Sequence, residues 1–150
     1  MSVVALVLGI LLVVGLVQAA IWIPLVRRWK KGERAYWAAL DESITAGDET
    51  VVIPRESGIY RGGTGAFPTV KGNGSIMLTT HRLIFRKLTG GPFEVPRGEI
   101  VGAHKAKTFL GAVVGNKVHL VVETASGAQV GFFVNDLARW LSALAAPSKP

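Results

Sequence analysis

The sequence has no cysteine, ten acidic residues and three histidines, and these shortages argue against several kinds of chemistry. Without cysteine the chain has no disulfide, no thiol nucleophile and no thiolate ligand for zinc. His81, His104 and His119 are far apart and have no carboxylate near them in the sequence, so a metal site is not indicated. A Gly-x-Ser-x-Gly nucleophile motif is also missing. We therefore expect no enzyme, no metal and no cofactor, with a small metal-dependent hydrolase as the least favoured alternative.

What the sequence does have is a long apolar run at its front. Residues 3–26 contain no charge, and Gln18 is their only strongly polar side chain. About 20 apolar residues in a helix cross a bilayer core of about 30 Å, so we predict a single transmembrane helix within residues 1–28. A cleavable signal peptide is the alternative, because Val17-Gln18-Ala19 resembles a cleavage site. Against it, no basic residue precedes the run, which is also longer than a signal core of roughly 7–15 residues.

A basic cluster follows the apolar run. Of the net charge of +7, residues 27–34 supply +4 (five basic against one acidic), and residues 35–150 supply the remaining +3. Cationic residues next to a membrane span favour the cytoplasmic side. The topology residues are Arg27, Arg28, Lys30 and Lys31. We expect a single-pass protein of the cell membrane, with its N-terminus outside and its domain in the cytoplasm. The modest remaining charge does not favour nucleic acid as a partner.

The next segment, residues 29–48, is predicted as a juxtamembrane linker or short helix. From Glu49 onward the pattern changes to short strands separated by glycine and proline. We predict strands at residues 50–54, 58–61, 75–79, 82–87, 93–95, 100–106, 117–123 and 129–134. A glycine-rich loop is expected at residues 62–68, and Asn73-Gly74 is typical of a tight turn.

The chain ends in a different pattern. Leu137, Trp140, Leu141 and Leu144 follow the spacing of one apolar helix face. Asn135 and Asp136 precede them as candidate N-caps, and Pro147 is expected to end the helix. One domain, residues 49–146, would therefore be followed by a short tail, residues 147–150.

A local motif supports a family resemblance. Residues 74–85, GSIMLTTHRLIF, resemble the G-x-L-x-L-T-x-x-R-L-I-F hairpin of GRAM and bacterial pleckstrin-homology-like (PH-like) domains. Residues 95–100 and 127–134 resemble later strands of that family more loosely. The resemblance implies an α+β fold: a bent antiparallel barrel or sandwich of about seven strands, with a C-terminal capping helix. It implies binding to lipid headgroups or proteins and carries no catalytic residues.

Residues 108–115 form an apolar stretch between lysines. Apolar side chains within a basic collar suit shallow insertion into an anionic leaflet. The membrane-contact candidates are Lys105, Lys107, Phe109, Leu110, Val113 and Lys117. A buried strand with a glycine bulge would give the same run.

A second candidate surface is a basic patch for phosphate groups, since arginine and lysine bind phosphate by charge and geometry. Its members are Arg82, Arg86, Lys87 and Arg97. The alternative is an ordinary solvated face. In the apolar helix, the pairs Ala5 with Gly9 and Gly15 with Ala19 would allow close helix contact in a homo-oligomer.

Together these features predict a membrane-tethered PH-like binding or adaptor module. Its expected partners are membrane lipids, including anionic headgroups, or a membrane protein. The alternative from a different class is a structural assembly subunit of a membrane protein complex.

Overall fold

The computed structural model describes residues 2–146, and the predicted tail at residues 147–150 lies outside them. The chain divides into two compact units, Met1–Ser43 and Ile44–Pro150. We describe each unit by itself.

The first unit is built from one long helix, α1 (Val3–Ala46), which ends just after the unit boundary. The helix is long and apolar enough near the N-terminus to span a membrane. It does not stop after residue 28: its 44 residues correspond to about 66 Å at 1.5 Å per residue, twice a bilayer core. The segment predicted as a linker or short helix is therefore a continuation of α1. Pro24 lies inside this helix.

Gln18, the polar residue of the apolar run, is hydrogen-bonded within the helix. Its side-chain oxygen accepts from Trp22 Nε1 at 3.0 Å, one turn further along. This bond satisfies part of the amide locally, as a polar group in an apolar surrounding requires.

The second unit contains a seven-stranded sheet in which all adjacent pairs are antiparallel. In spatial order the strands are β4 (Pro92–Pro96), β3 (Arg82–Lys87), β2 (Gly72–Thr79), β1 (Val51–Gly63), β9 (Gln129–Phe133), β8 (His119–Thr124) and β5 (Ile100–Ala106). Two short strands, β6 (Thr108–Phe109) and β7 (Ala112–Val113), form a separate hairpin. A 3₁₀ turn, Arg97–Glu99, precedes β5, and the helix α2 (Leu137–Ala145) follows β9. The predicted antiparallel sheet with a C-terminal helix is confirmed.

Strand β1 differs from the two short strands that were predicted in this region. The strands expected at residues 50–54 and 58–61 are one strand of 13 residues. Pro54 lies where the β1–β2 register shifts: Ile53 pairs with Leu78, but Glu56 pairs with Ile76. One extra residue on β1 forms a bulge there, which is where a sheet tolerates proline.

The predicted tight turn at Asn73-Gly74 is also wrong, because both residues lie within β2. Gly74 pairs with Gly58 and Asn73 with Ile59. A Cβ on Gly74 would come within 2.1 Å of the Arg86 carbonyl oxygen. The glycine is therefore required by the close approach of β3, not by a turn.

The domain core lies on the face of the sheet that carries Tyr60 and Phe132, which we call the inner face. Tyr60, Phe85, Phe93 and Phe132 pack ring against ring, with centroids 4.8–6.3 Å apart. Aliphatic side chains from six strands complete this core: Ile53, Ile76, Leu78, Leu83, Val95, Leu120, Val122 and Val130. Burial raises the pKa of Tyr60 to about 12, and its hydroxyl donates to the Pro68 carbonyl at 2.6 Å.

Helix α2 closes the core with Trp140 and Leu144 and packs against β5, β1 and β8. Asp136 is its N-cap, as predicted, and accepts from the Arg139 amide at 3.0 Å. The Trp140 indole donates to Glu56 at 2.9 Å, so the largest core side chain has a partner for its polar atom.

Candidate functional site

The opposite face of β1, β9 and β8, which carries Ile59 and Phe133, is the outer face, and the β6–β7 hairpin covers part of it. Phe109 of this hairpin is only 6% exposed. Its ring lies over Gly131, where a Cβ would be 2.4 Å from Phe109 Cδ1. Gly131 therefore leaves the space that the Phe109 ring occupies. Phe109 is a packing residue, so this membrane-contact candidate is not at the surface.

His119 lies beneath the same hairpin. Its ring centroid is 6.0 Å from that of Phe109 and 4.5 Å from that of Phe133. Nδ1 is 3.1 Å from the Ala106 carbonyl oxygen, and Nε2 is buried without a hydrogen-bond partner among the described residues. His119 and Val121 lie on the outer face of β8, and both are fully buried.

The tip of the hairpin is the exposed part. Leu110 is 49% and Val113 is 64% exposed. Leu110 has a φ of 47° and Gly111 a φ of 73°. Positive φ at both central residues is the backbone of a tight two-residue hairpin turn, in which glycine and asparagine are usual and leucine is not. The turn thus leaves Leu110 half exposed at a conformational cost, with its Cδ1 over Gly62, where a Cβ would be 3.1 Å away. A residue in such a backbone conformation is a reason to look for function.

Three lysines were predicted to accompany the tip, and all are exposed: Lys105, Lys107 and Lys117. Lys105 is in β5, and Lys107 directly precedes β6. Lys117 Nζ lies 5.6 Å from the Phe133 ring centroid, and the Arg61 guanidinium lies 4.9 Å from the same centroid. Two cationic side chains, Arg61 and Lys117, therefore lie next to Phe133 on the outer face. Lys107, Leu110 and Val113 are at the hairpin, and Lys117 lies beside Phe133 of the outer face. Lys105 pairs with Leu120, so it is on the inner side of the sheet, and this membrane-contact candidate is separated from the hairpin.

The predicted basic patch is not one free surface. Arg82 donates to Glu49 through Nε and Nη2 at 2.9 Å, and to Glu94 through Nη1 at 2.9 and 3.0 Å. Hydrogen bonding to Glu49 raises the pKa of Arg82. Burial alone would raise the pKa of Glu49, but hydrogen bonds from Arg82 and Thr79 outweigh burial and hold the pKa below its ordinary value. Arg82 therefore ties β3 to Glu49 and β4.

Arg97 is 7% exposed and serves the end of α2. Its Nη2 donates to the carbonyl oxygens of Ala143 and Ala146, the latter at 2.9 Å. Carbonyl groups in the last turn of a helix lack intrahelical donors, so a cation is favourable there. Burial lowers the pKa of Arg97. Arg97 is a structural helix cap and is not available to a phosphate group.

The other two members of the patch lie on opposite faces of β3, because side chains alternate along a strand. Lys87 extends along the inner side, where Nζ donates to the Val70 carbonyl at 2.6 Å and lies 5.0 Å from the Tyr60 ring centroid. Arg86 is on the same face as Arg82. The four cations are therefore dispersed.

The motif that carried the family resemblance has a structural explanation. The Thr79 hydroxyl accepts from the Arg82 amide at 3.0 Å and donates to Glu49. The apolar positions of the motif, including Leu83 and Phe85, are in the core. The motif thus stabilises the β2–β3 turn and builds no ligand site by itself.

No cluster of three potential metal ligands occurs within residues 2–146. His81 lies 3.7 Å from Asp48, and His104 lies 3.8 Å from Glu123, so the two exposed histidines have separate carboxylate neighbours. The topology residues Arg27, Arg28, Lys30 and Lys31 are all exposed on α1.

Fold and site together define a class of protein: a helix long and apolar enough to span a membrane, followed by a seven-stranded antiparallel domain with a C-terminal helix. No protein-family model and no curated protein matches the chain. Among solved structures it is similar to the C-terminal domain of an unknown protein from Leishmania infantum. That similarity has 17% identity and a TM-score of 0.43, and it covers 66% of this chain and 84% of the other. Values this low carry no argument about function.

Proposed function

We propose that the protein is a membrane-tethered PH-like binding module that docks on anionic lipid through its β6–β7 hairpin. The observation that carries the proposal is the hairpin tip: Leu110 is exposed in a backbone conformation that leucine rarely adopts. Val113 adds a second exposed apolar side chain beside it. Burying these side chains in the interface would repay the cost of presenting them, at about 25 cal/mol per Å² of apolar surface.

Charge supports an anionic leaflet as the docking partner. Lys107 directly precedes the hairpin and Lys117 lies by Phe133 of the outer face, and both are exposed. Each lysine near an anionic surface contributes about 1 kcal/mol, and this contribution falls with salt. The basic cluster after the apolar run supports a cytoplasmic location for the domain, on the side where anionic lipids concentrate.

The anchor makes a weak contact sufficient. A domain held next to the bilayer meets it at a high effective concentration, so docking needs no more than a few favourable contacts. Strand order also supports the PH-like assignment: four consecutive strands form a meander, β4-β3-β2-β1, and the remaining strands join it through β9. Docking of the hairpin on a membrane protein is the alternative that an experiment must separate.

The test uses the full chain in lipid nanodiscs. Since the sequence has no cysteine, Val113→Cys carries the only label, an environment-sensitive fluorophore. In anionic nanodiscs at low salt we expect a blue shift and quenching by lipid-attached quenchers, both reduced at high salt. The same label at Ala125→Cys, an exposed position in the β8–β9 turn, is the control and should report water throughout.

Two variants test the role of the tip itself. Leu110→Asn suits the positive φ and removes the apolar side chain, so it should preserve or slightly raise stability while reducing insertion. Lys107→Glu should weaken insertion severalfold, whereas Lys71→Glu, a matched change at an exposed lysine in the β1–β2 loop, should not. A label at position 113 that stays in water in anionic nanodiscs would overturn lipid docking and favour a protein partner.

A further inference from the structure

The outer face has a second feature beside the hairpin, an open groove of about 780 Å³. Its walls come from β1, β2, the residues after β3 and β9, the segment before β8 and the start of α2. Because side chains alternate along strands and paired residues share a face, Ser57, Ile59, Asn73 and Ser75 all lie on the outer face. Ile59 also pairs with Phe133 of β9, so the groove crosses three neighbouring strands.

The chemistry of the groove is uneven along its length. Apolar side chains include Ile59 and Leu137, with exposed Leu88 at one flank. Hydroxyl and amide side chains, Ser57, Asn73, Ser75 and Asn135, also line it. Among the described lining residues Lys117 is the only charged one, and it lies at the opposite flank, next to Val118. The lining is therefore mixed, somewhat more apolar than polar, with a single positive charge.

This combination fits one kind of ligand. Sites for small molecules have volumes of about 300–1,000 Å³ and a mainly apolar lining with few polar groups. Strands lie about 4.8 Å apart, so the distance from β2 to β9 alone is about 10 Å, and the flanks extend it. A flexible apolar chain with one acidic head matches this shape, since the chain can follow the floor while the head meets Lys117. A multiply charged headgroup would find a single cation there.

The groove is continuous with the proposed membrane-docking surface. Lys117 belongs to both, and Phe133 both lines the groove and packs against His119 beneath the hairpin. A groove that begins beside the docked tip would have membrane lipid as its nearest source of acyl chains. We infer that the outer-face groove binds one acyl chain of an acidic membrane lipid, with the acidic group on Lys117. The inference rests on the proposed function for the source of its ligand.

The experiment uses the full chain in neutral nanodiscs, where hairpin docking is not required for binding. Leu88→Cys carries a fluorophore at the groove flank, and bromododecanoic acid is the probe, because its bromine quenches on contact. We expect saturable quenching. Lys117→Gln should weaken the apparent affinity about tenfold, the effect of losing one hydrogen bond to a charged group. Lys71→Gln, which removes an exposed lysine of the β1–β2 loop outside the groove, should leave the affinity unchanged. Bromododecanol, with an uncharged head, should bind as weakly to the wild type as the acid binds to Lys117→Gln.

A blocked groove gives a second check that does not depend on charge. Asn135 is exposed on the groove wall, and Asn135→Trp should abolish saturation while the hydrogen-exchange protection of the β2 and β3 amides stays as in the wild type. Quenching that rises linearly and equally in wild type, Lys117→Gln and Asn135→Trp would show simple partitioning into the bilayer and overturn the inference. Insertion of the label at position 113 together with such linear quenching would retain hairpin docking and reject only the groove. Saturable quenching of the label at position 88, with no insertion of the label at position 113, would retain the groove and reject hairpin docking.

Discussion

The two faces of strands β1, β9 and β8 are built differently, although the same backbone separates them. The inner face is sealed by an aromatic cluster, by aliphatic side chains from every neighbouring strand and by α2. The outer face is covered at one end by a single phenylalanine from a four-residue pair of strands, and beside this cover lies an open groove. The inner face therefore carries most of the packing that holds the domain together, whereas the outer face is thinly covered and leaves a ligand-sized space.

The largest loss of stability is expected from a substitution in the core on the inner face. Trp140→Ala removes a fully buried side chain and leaves Glu56 without its indole donor. We expect the free energy of unfolding to fall by about 3–5 kcal/mol. Urea denaturation of the full chain in a non-ionic detergent, followed by near-ultraviolet circular dichroism, measures this fall. A loss below about 1 kcal/mol would mean that α2 does not close the core.

A smaller effect concerns the ion pairs that Arg82 makes outside the aromatic core. Glu49→Gln weakens hydrogen bonds to a charged group, so we expect a loss of about 2 kcal/mol at neutral pH. The sign of the pH dependence follows from the lowered pKa of Glu49. Its contribution is complete above the ordinary value of 4.5 and disappears as the pH falls through the lower folded-state pKa.

The measurement for this pair is a denaturation series from neutral pH to below pH 4.5. The stability difference between wild type and Glu49→Gln should shrink on acidification. Glu94→Gln, which alters the more exposed partner of Arg82, is the comparison and should cost less. A difference that stays constant down to the lowest pH would contradict the assignment of Glu49 as an ionised partner.

The smallest loss of stability is expected from a substitution on the outer face. Gly131→Ala places a methyl group where Phe109 packs, so the Phe109 ring must move. Overpacking of this kind costs about 1–2 kcal/mol here, because the hairpin is short and Phe109 can shift off the sheet. Phe109→Ala removes the collision, so the double variant should be less destabilised than the sum of the two single variants.

Hydrogen exchange of the β6–β7 amides distinguishes local from global loss in these variants. Gly131→Ala should increase exchange in residues 108–113 and leave β2 and β3 protected. Strict additivity of the two changes would show that Phe109 does not rest on Gly131.

The elements predicted best were those whose apolar pattern is local. The bounds of β3 and β5 agree with prediction, and α2 begins at the predicted position behind its Asp136 cap. Adjacent residues produce these patterns, so they can be read directly. β1 was divided in two by the signal of Pro54, since a bulge that accommodates proline depends on the partner strand.

The candidate site was predicted less completely, for a related reason. The apolar stretch and its lysines were identified, but the burial of Phe109 depends on Gly131, which is 22 positions away in the sequence. The prediction of a free basic patch was wrong because Arg82 is hydrogen-bonded to Glu49, and Arg97 to the carboxyl end of α2. Nothing in the spacing of those cations reveals their partners. The groove gave no sequence signal, since its lining residues are contributed a few at a time by separate segments.

The sequence by itself determined the apolar helix, the basic cluster behind it, the alternation of the strands and the amphipathic end helix, because each depends on residues within one turn or a few strand positions. Only the tertiary structure decided which face of the sheet is sealed, which cations are free and where a ligand-sized space remains. Those properties depend on side chains from segments distant in the sequence meeting across the sheet, and a local pattern does not encode such meetings.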